Sequence, residues 1–320
     1  MARPLAILLI GAFGIACAAI FVRLALPAPP IVTGFWRLAF ATGALSLALA
    51  VRARKRSAQR GGAERSHAGP RSAQRGGAER IGERAALPRR AIAQALAAGA
   101  CFGADLALWN SALVETSVAT ATLLVNTTPL FVGLFAVLAL RERLEGRLVA
   151  GGALALGGAA LLLGADLGAK ASLAGDGLAL GAALFYSAYL LWIQRARRSL
   201  DTATSVALSG AASTLVLGAA ALWRGDPFTG FPWHSWLVFA ASAVISHLAG
   251  VVGIVWALAH LSATFAAVAL LAQPVGTALL GWWWLGEPLS PLQLAGGALV
   301  LAGIAAASRG RAPSAPALRS

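Results

Sequence analysis

Apolar residues fall in ten long stretches along the chain, and short segments carrying Pro, Gly or charge separate most of them. A helix needs about 20 apolar residues to cross the hydrocarbon core of a bilayer. The pattern therefore predicts an all-α membrane protein with ten transmembrane helices. The predicted spans are 5–25, 31–51, 91–113, 118–140, 147–165, 175–194, 203–223, 236–258, 263–285 and 291–308.

One connection departs from this pattern. Residues 52–90 are polar and basic, and the ten-residue segment Arg-Ser-Ala-Gln-Arg-Gly-Gly-Ala-Glu-Arg occurs at 56–65 and again at 71–80. A polar sequence of such low complexity cannot build a packed core. We expect residues 52–90 to form a disordered, basic cytoplasmic loop.

The composition agrees with a membrane protein. Hydrophobic residues make up 58% of the chain and charged residues 12%, whereas soluble domains have about 25% charged residues. The net charge of +14 is typical of a nucleic-acid-binding protein, but residues 52–90 hold twelve Lys/Arg against three Glu. Because basic loops beside membrane spans are the usual signal of topology, we expect no nucleic-acid partner.

The basic residues also predict the orientation. With the N-terminus inside, 22 Lys and Arg flank the inner side of the spans and three flank the outer side. Loops rich in Lys and Arg remain on the cytoplasmic side. We therefore expect a multi-pass protein of a bacterial-type inner (plasma) membrane with both termini in the cytoplasm.

Two stretches of the chain match at a constant spacing of 145 residues. Residues 112–158 match 257–303, so that Pro129 corresponds to Pro274. Each half holds five spans, and because five is odd the second half must enter the membrane upside down. The sequence predicts two inverted five-helix repeats and a tail. The boundaries are 1–165 for the first repeat, 166–308 for the second repeat and 309–320 for a cytoplasmic tail.

Several segments carry a family resemblance. They are Phe35-Trp36-Arg37-Leu38, the run from Ala112 to Pro129, Arg141-Glu142-Arg143-Leu144, Gln273-Pro274 and Gly286-Glu287-Pro288-Leu289. Over nearly the whole chain except 52–90 and the tail, the sequence resembles the ten-helix EamA type of the drug/metabolite transporter superfamily. The resemblance implies transport of small metabolites, commonly export, by alternating access.

Polar groups at mid-membrane depth mark candidate sites, because an unpaired one in hydrocarbon costs several kcal/mol. Arg37 and Asp105 lie at similar depth in antiparallel spans. We expect either an ion pair, functional or structural, or two charges that face one aqueous cavity. His247 lies at the centre of span 8, where it either relays protons, binds substrate, or remains neutral and bonded to a neighbouring helix.

Pro129 and Pro274 predict kinks at the centres of spans 4 and 9, because each removes one backbone hydrogen bond. Such kinks either present polar groups to a cavity or only adjust packing. The aromatic residues of spans 3 and 6 form either a wall for an apolar or cationic substrate or an ordinary packed core. The candidate cavity residues are Arg37, Asp105, Trp109, Asn126, Tyr186, Tyr189, His247 and Gln273.

Sequence signatures of enzymes are absent. The chain has no HExxH, CxxC, Gly-x-Ser-x-Gly or phosphate-binding Gly-rich loop. We therefore expect neither an enzyme nor a resident cofactor or metal. The expected function is secondary transport of a small metabolite, such as an amino acid or an amine, in the direction of export. Protons are the candidate coupling ion, and the working form is either a monomer or a homodimer.

Two alternatives stay open at this point. One is a membrane receptor or assembly subunit that docks partners through the loop 52–90. The other is an intramembrane enzyme acting on lipids, which needs a nucleophile or an acid–base pair clustered at the membrane interface. The sequence shows no such cluster.

Overall fold

The computed structural model describes residues 2–67, 87–138, 141, 144–164 and 172–309. They form thirteen α-helices and one π-helical segment, and no strand occurs among them. The helices are α1 (Ala2–Leu24), α2 (Pro30–His67), α3 (Arg89–Glu115), α4 (Val118–Val125), α5 (Thr128–Leu138), α6 (Gly146–Leu163), α7 (Leu173–Ala196), α8 (Thr202–Arg224), α9 (Trp233–Ser242), α10 (Val252–Ala257), α11 (Ala263–Ala269), α12 (Ala272–Leu285) and α13 (Pro291–Ser308). The π-helical segment Ala243–Val251 joins α9 to α10.

Ten stretches of helix in the described residues are long and apolar enough to cross a membrane, and they match the ten predicted spans to within a few residues. Three of these spans consist of more than one piece. Span 4 is α4 with α5, span 8 is α9 with the π-helical segment and α10, and span 9 is α11 with α12. The prediction of an all-α membrane protein with ten spans is confirmed.

The connection after span 2 begins differently from the prediction. Residues 52–67, expected to belong to a disordered loop, continue α2 as far as His67. Eleven of these sixteen residues are Arg, Ala, Lys, Gln or Glu, which are all good helix formers, so helix propensity carries α2 beyond the apolar pattern. Residues 68–86 of the expected loop and the expected tail beyond Arg309 lie outside the described residues.

The pairing of α6 with α13 shows how the two repeats are related. A Cβ on Gly151 would lie 2.5 Å from the carbonyl oxygen of Gly303, and one on Gly158 would lie 2.7 Å from that of Gly296. Gly296 is the repeat equivalent of Gly151, and Gly303 that of Gly158. Exchanging the repeats therefore converts one contact into the other, as a two-fold axis between antiparallel helices requires. The predicted inversion is confirmed.

The first halves of spans 4 and 9 begin at equivalent serines. Ser117 Oγ accepts a hydrogen bond from the Thr120 N–H at 3.0 Å, and Ser262 Oγ accepts one from the Phe265 N–H at 3.2 Å. Serine is a favoured N-cap because its side chain satisfies an N–H group that has no acceptor within the helix. The two caps fix where α4 and α11 begin.

Spans 4 and 9 are interrupted a few residues before Pro129 and Pro274. Proline lacks an N–H group and disturbs the turn that precedes it. The carbonyl of Val125 accepts the Thr128 hydroxyl at 2.7 Å, and the carbonyl of Leu270 accepts a backbone N–H at 3.0 Å. The carbonyls at the breaks are thus bonded within their own spans.

Replacing Gly158 by Ala should destabilise the protein, whereas the same change at Gly157 should not. A Cβ on Gly158 would lie 2.6 Å from the amide nitrogen of Val300, so α6 and α13 must move apart, at a cost of about 1–3 kcal/mol. No neighbouring atom lies within 4 Å of a Cβ on Gly157. Thermal unfolding of both variants in one detergent measures the difference, and equal unfolding midpoints would contradict the close contact.

Candidate functional site

A cavity of about 440 Å³ lies between the two repeats. It extends from Arg23 and Glu287, whose side chains are 58% and 56% exposed, to Asp105 and His247, which are 5% and 3% exposed. The cavity therefore opens at one membrane face and ends among buried residues. Its walls come from α1, α2, α3, α4, α6, α7, the π-helical segment, α12 and α13.

The mouth of the cavity is on the membrane face opposite to the chain termini. The Arg3 guanidinium lies 5.8 Å from the centre of the Trp256 ring, and Arg147 donates a hydrogen bond to the carbonyl of Arg309 at 3.5 Å. These contacts place the first turn of α1, the end of α10, the start of α6 and the end of α13 on one face. Arg23, near the other end of α1, is on the opposite face.

Seven of the eight candidate residues line the cavity. They are Arg37, Asp105, Trp109, Asn126, Tyr186, His247 and Gln273. Of the two prolines at the breaks, Pro274 lines the cavity and Pro129 does not.

Tyr189 is the candidate that the structure places elsewhere. Its side chain is 2% exposed, and its ring stacks on Tyr186 at 5.8 Å and on Phe102 at 4.7 Å between ring centres. The expectation that Tyr189 lines the cavity is corrected, because these two rings stand between it and the cavity. Its hydroxyl is buried and has no hydrogen-bond partner among the described residues.

Arg37 and Asp105 face the same cavity without pairing directly. No hydrogen bond or salt bridge joins them among the described residues, although their charges interact electrostatically. The Nε atom of Arg37 is buried and has no hydrogen-bond partner there. Of the two expected arrangements, the structure has the one in which both charges face one cavity. Both groups therefore keep hydrogen-bonding capacity for a ligand.

His247 extends from the π-helical segment Ala243–Val251. Such segments are rare and frequently occur at functional sites. The Nε2 atom of His247 is buried, and among the described residues it has no hydrogen-bond partner. His247 Nε2 therefore does not form the hydrogen bond to a neighbouring helix that a purely structural histidine would form.

Phe102 is a cavity residue that sequence reasoning missed. It lies 145 residues before His247, which is the spacing of the two repeats. The two side chains are therefore equivalent, and their ring centres lie 6.4 Å apart at the buried end of the cavity. The two-fold axis passes between them, as in transporters whose site lies where inverted repeats meet. The spacing of 145 residues between the two repeats was the sequence signal that could have identified Phe102 as the equivalent of His247.

An ion pair at the mouth was also missed. Arg23 Nη1 lies 2.9 Å from Glu287 Oε1 and links the end of α1 to the connection after α12. The two residues belong to different repeats and both line the mouth. Because both side chains are more than half exposed, the pair contributes little to stability. No sequence pattern indicates this pair, because 264 residues separate the partners.

The equivalent half-helices α4 and α11 have different surroundings. One face of α4 lines the cavity with Val118, Ala119, Thr122, Val125 and Asn126, most of which are partly or well exposed. Their repeat equivalents are Ala263, Thr264, Ala267, Leu270 and Leu271, and each of these is at most 7% exposed. α11 is enclosed by α1, α5, α6, α7 and α13. The same face is thus open in one repeat and closed in the other.

The cavity offers a defined set of chemical groups to a ligand. Arg37 supplies a guanidinium and Asp105 a carboxylate, and the rings of Trp109 and Tyr186 line the wall. The side chain of Gln273 interacts with the Tyr186 hydroxyl. Among the described residues no group of three or more His, Cys, Asp or Glu could hold a metal ion. The arrangement suits binding and orientation of a small polar molecule.

Comparison with known proteins supports this architecture. No curated protein matches the chain. A solved crystal structure of a protein is similar over 96% of this chain and 97% of its own length, with a TM-score of 0.70 and 19% sequence identity. A likeness at this level of identity shows the fold alone.

The family is shown by a match of the sequence itself. The model of the EamA-like transporter family matches residues 3–164 and again residues 173–309. Each match covers five of the ten spans. This chain belongs to the EamA-like transporter family, a family of the drug/metabolite transporter superfamily whose members are transporters and not enzymes.

Proposed function

We propose that this protein is a secondary transporter that moves a small metabolite, such as an amino acid or an amine, out across the plasma membrane by alternating access. The observation that carries the proposal is the contrast between α4 and α11. One of these equivalent half-helices lines an open cavity, and the other is enclosed by protein.

The inverted repeat suggests how the difference between α4 and α11 leads to transport. If the two repeats exchange conformations, the two-fold axis in the membrane plane turns the cavity upside down. The face of α11 then lines a cavity that opens toward the chain termini, and α4 becomes enclosed. The breaks before Pro129 and Pro274 act as hinges, because each proline lacks the N–H group that would continue the regular helical hydrogen bonding at this point.

The chemistry of the cavity suits a small substrate that carries an ammonium group. Asp105 pairs with an ammonium group, and the faces of Trp109 and Tyr186 attract the same charge. Arg37 pairs with a carboxylate, so an amino acid engages both charged residues and an amine engages one. A volume of about 440 Å³ is within the range of small-molecule sites.

Orientation and energy coupling complete the proposal. The excess of Lys and Arg in the connections on the side of the termini assigns that side to the cytoplasm, so the cavity opens to the outside. Asp105 and His247 are the ionisable groups that line its buried end with Arg37. A proton taken up there from outside, after the substrate leaves, couples export to the proton gradient.

Uptake by reconstituted vesicles tests the function. The purified protein is inserted into liposomes and offered labelled amino acids, amines, organic acids and nucleosides, with and without an imposed pH gradient. We expect saturable transport of an amino acid or an amine that the gradient accelerates. Transport of no compound above that of protein-free liposomes would contradict the proposal.

Asp105→Asn should lower the initial transport rate about tenfold or more and leave the protein folded. The amide has nearly the same shape but carries no charge and releases no proton, and ionisable residues inside the membrane are retained for such roles. The matched control is Asp226→Asn in the connection after α8, where the carboxylate lies 3.3 Å from Arg224 outside the cavity. Normal transport by Asp105→Asn, at normal folding, would remove Asp105 from the mechanism.

The variants Tyr186→Phe and Tyr189→Phe should distinguish a residue that lines the cavity from one that lies behind the cavity wall. Tyr186 lines the cavity, and loss of its hydroxyl should weaken the apparent affinity for substrate about two- to tenfold, the range for one hydrogen bond. Among the described residues the Tyr189 hydroxyl has no hydrogen-bond partner, and it lies behind the cavity wall, so its loss should leave the affinity unchanged. Concentration dependence of transport measures both, and a larger effect at Tyr189 would show that the assignment of the two residues is reversed.

A further inference from the structure

A second concavity lies on the outer wall of the helix bundle. It has a volume of about 760 Å³ and is formed by α3, α5 and α7. It shares no lining residue with the central cavity. We call it the lateral groove, and the proposed transport function assigns it no role.

Most of the lateral groove is apolar and faces outward from the bundle. Leu134, Leu138 and Leu184 line it and are 55%, 70% and 55% exposed. In a bilayer these side chains face lipid acyl chains. The groove is therefore a recess for hydrocarbon and not a gap in the packed core.

One end of the groove is basic. Arg90 lies in the first turn of α3, and Arg195 lies in the last turn of α7. Both turns are on the membrane face that carries the chain termini. No acidic residue occurs among the described residues that line the groove. The charge is thus placed at the depth of lipid headgroups on one face.

Arg195 is held in position by its neighbours. Its guanidinium carbon lies 5.6 Å from the centre of the Phe135 ring and 5.8 Å from that of Trp192, and Nη1 donates a hydrogen bond to the Leu191 carbonyl at 3.3 Å. An arginine guanidinium carries five N–H donors in one plane, and this planar arrangement matches a phosphate group.

The length of the groove matches one leaflet of a bilayer. From Arg195 to Leu184, α7 covers eleven residues, or about 16 Å at the helical rise of 1.5 Å per residue. The hydrocarbon core of one leaflet is about 15 Å thick, half of the whole core. A phosphate at the arginines therefore places an acyl chain along the apolar part of the groove.

We propose that the lateral groove binds an anionic phospholipid of the leaflet on the side of the chain termini. Arg90 and Arg195 contact the phosphate and its acidic headgroup, and one acyl chain lies between α5 and α7. Basic recesses between transmembrane helices are known to select acidic headgroups. Zwitterionic lipids offer the same chains but no net negative charge, so they bind more weakly.

The bound lipid also contacts the helix beyond the break in span 4. At the inner end of the groove, Ser187 Oγ donates a hydrogen bond to the carbonyl of Thr128 at 3.2 Å, and Thr128 is the first residue of α5. The lipid thus lies against the wall that supports one of the two hinges.

Native mass spectrometry of the purified full-length chain tests the proposal. Phosphatidylglycerol and phosphatidylethanolamine with identical acyl chains are titrated separately into the protein in detergent. We expect tighter binding of phosphatidylglycerol. The double variant Arg90→Gln/Arg195→Gln should weaken that binding about 25-fold, since each arginine near an anionic headgroup contributes about a factor of five.

The matched control is Arg198→Gln/Arg309→Gln, which removes two exposed arginines from the same membrane face outside the groove. It should bind phosphatidylglycerol as the native chain does. Equal binding of the two lipids by the native chain, or an equal loss in the control variant, would overturn the proposal, as would equally strong binding of glycerol phosphate without acyl chains.

A variant that keeps both arginines tests the apolar half of the groove. Ala93 lines the groove and is exposed, so Ala93→Trp fills the recess without entering the core. Binding of both phospholipids should fall several-fold in this variant. Unchanged binding would show that the acyl chain does not occupy the groove, and this result does not depend on the folding of the double arginine variant.

Discussion

The hydrocarbon core of a bilayer supplies no water to a backbone polar group, so a helix can break inside it only where the protein provides other partners. This constraint decides where the chain bends. The breaks before Pro129 and Pro274 are possible because the carbonyls of Val125 and Leu270 find donors within their own spans. The serine caps of α4 and α11 meet the same demand at the other end of each half-helix. The two breaks therefore occur at equivalent positions, and both lie beside the cavity.

The two repeats obey the same constraint but do not have the same surroundings. The paired glycines of α6 and α13 hold the repeats together along one two-fold contact, while α4 and α11 differ in what covers them. α11 consists largely of small residues, such as Ala263, Ala266 and Ala267. Enclosing small side chains buries little apolar area, and the free energy of burial follows that area. In the proposed transport cycle α11 leaves this packing, and its small side chains keep the cost of that step low.

The spans and the inverted repeat could be predicted because their signals extend over many residues and are repeated at one spacing. We could select Arg37, Asp105 and His247 because an ionisable side chain at mid-membrane depth is costly and is usually retained for a function. The helix at 52–67 was not predicted because its residues have a high helix propensity but do not form the apolar pattern by which the spans were recognised. The place of Tyr189 behind Tyr186 depends on stacking against Phe102. The π-helical segment around His247 has no recognised signal in the sequence. The difference between α4 and α11 is a property of one conformation, and equivalent sequences cannot reveal it.

Labelling of a matched pair of cysteines tests the central claim most directly. Thr122 on α4 and Ala267 on α11 are repeat equivalents, and each is changed to Cys in a chain whose Cys17 and Cys101 are replaced by Ser. A membrane-impermeant thiol reagent is then applied to either side of sealed vesicles of known orientation. The account predicts that Thr122→Cys reacts only from the face of the cavity mouth and Ala267→Cys only from the face of the chain termini. Reaction of both positions from one face, or no reaction of Ala267→Cys from either face while the protein transports, would contradict it.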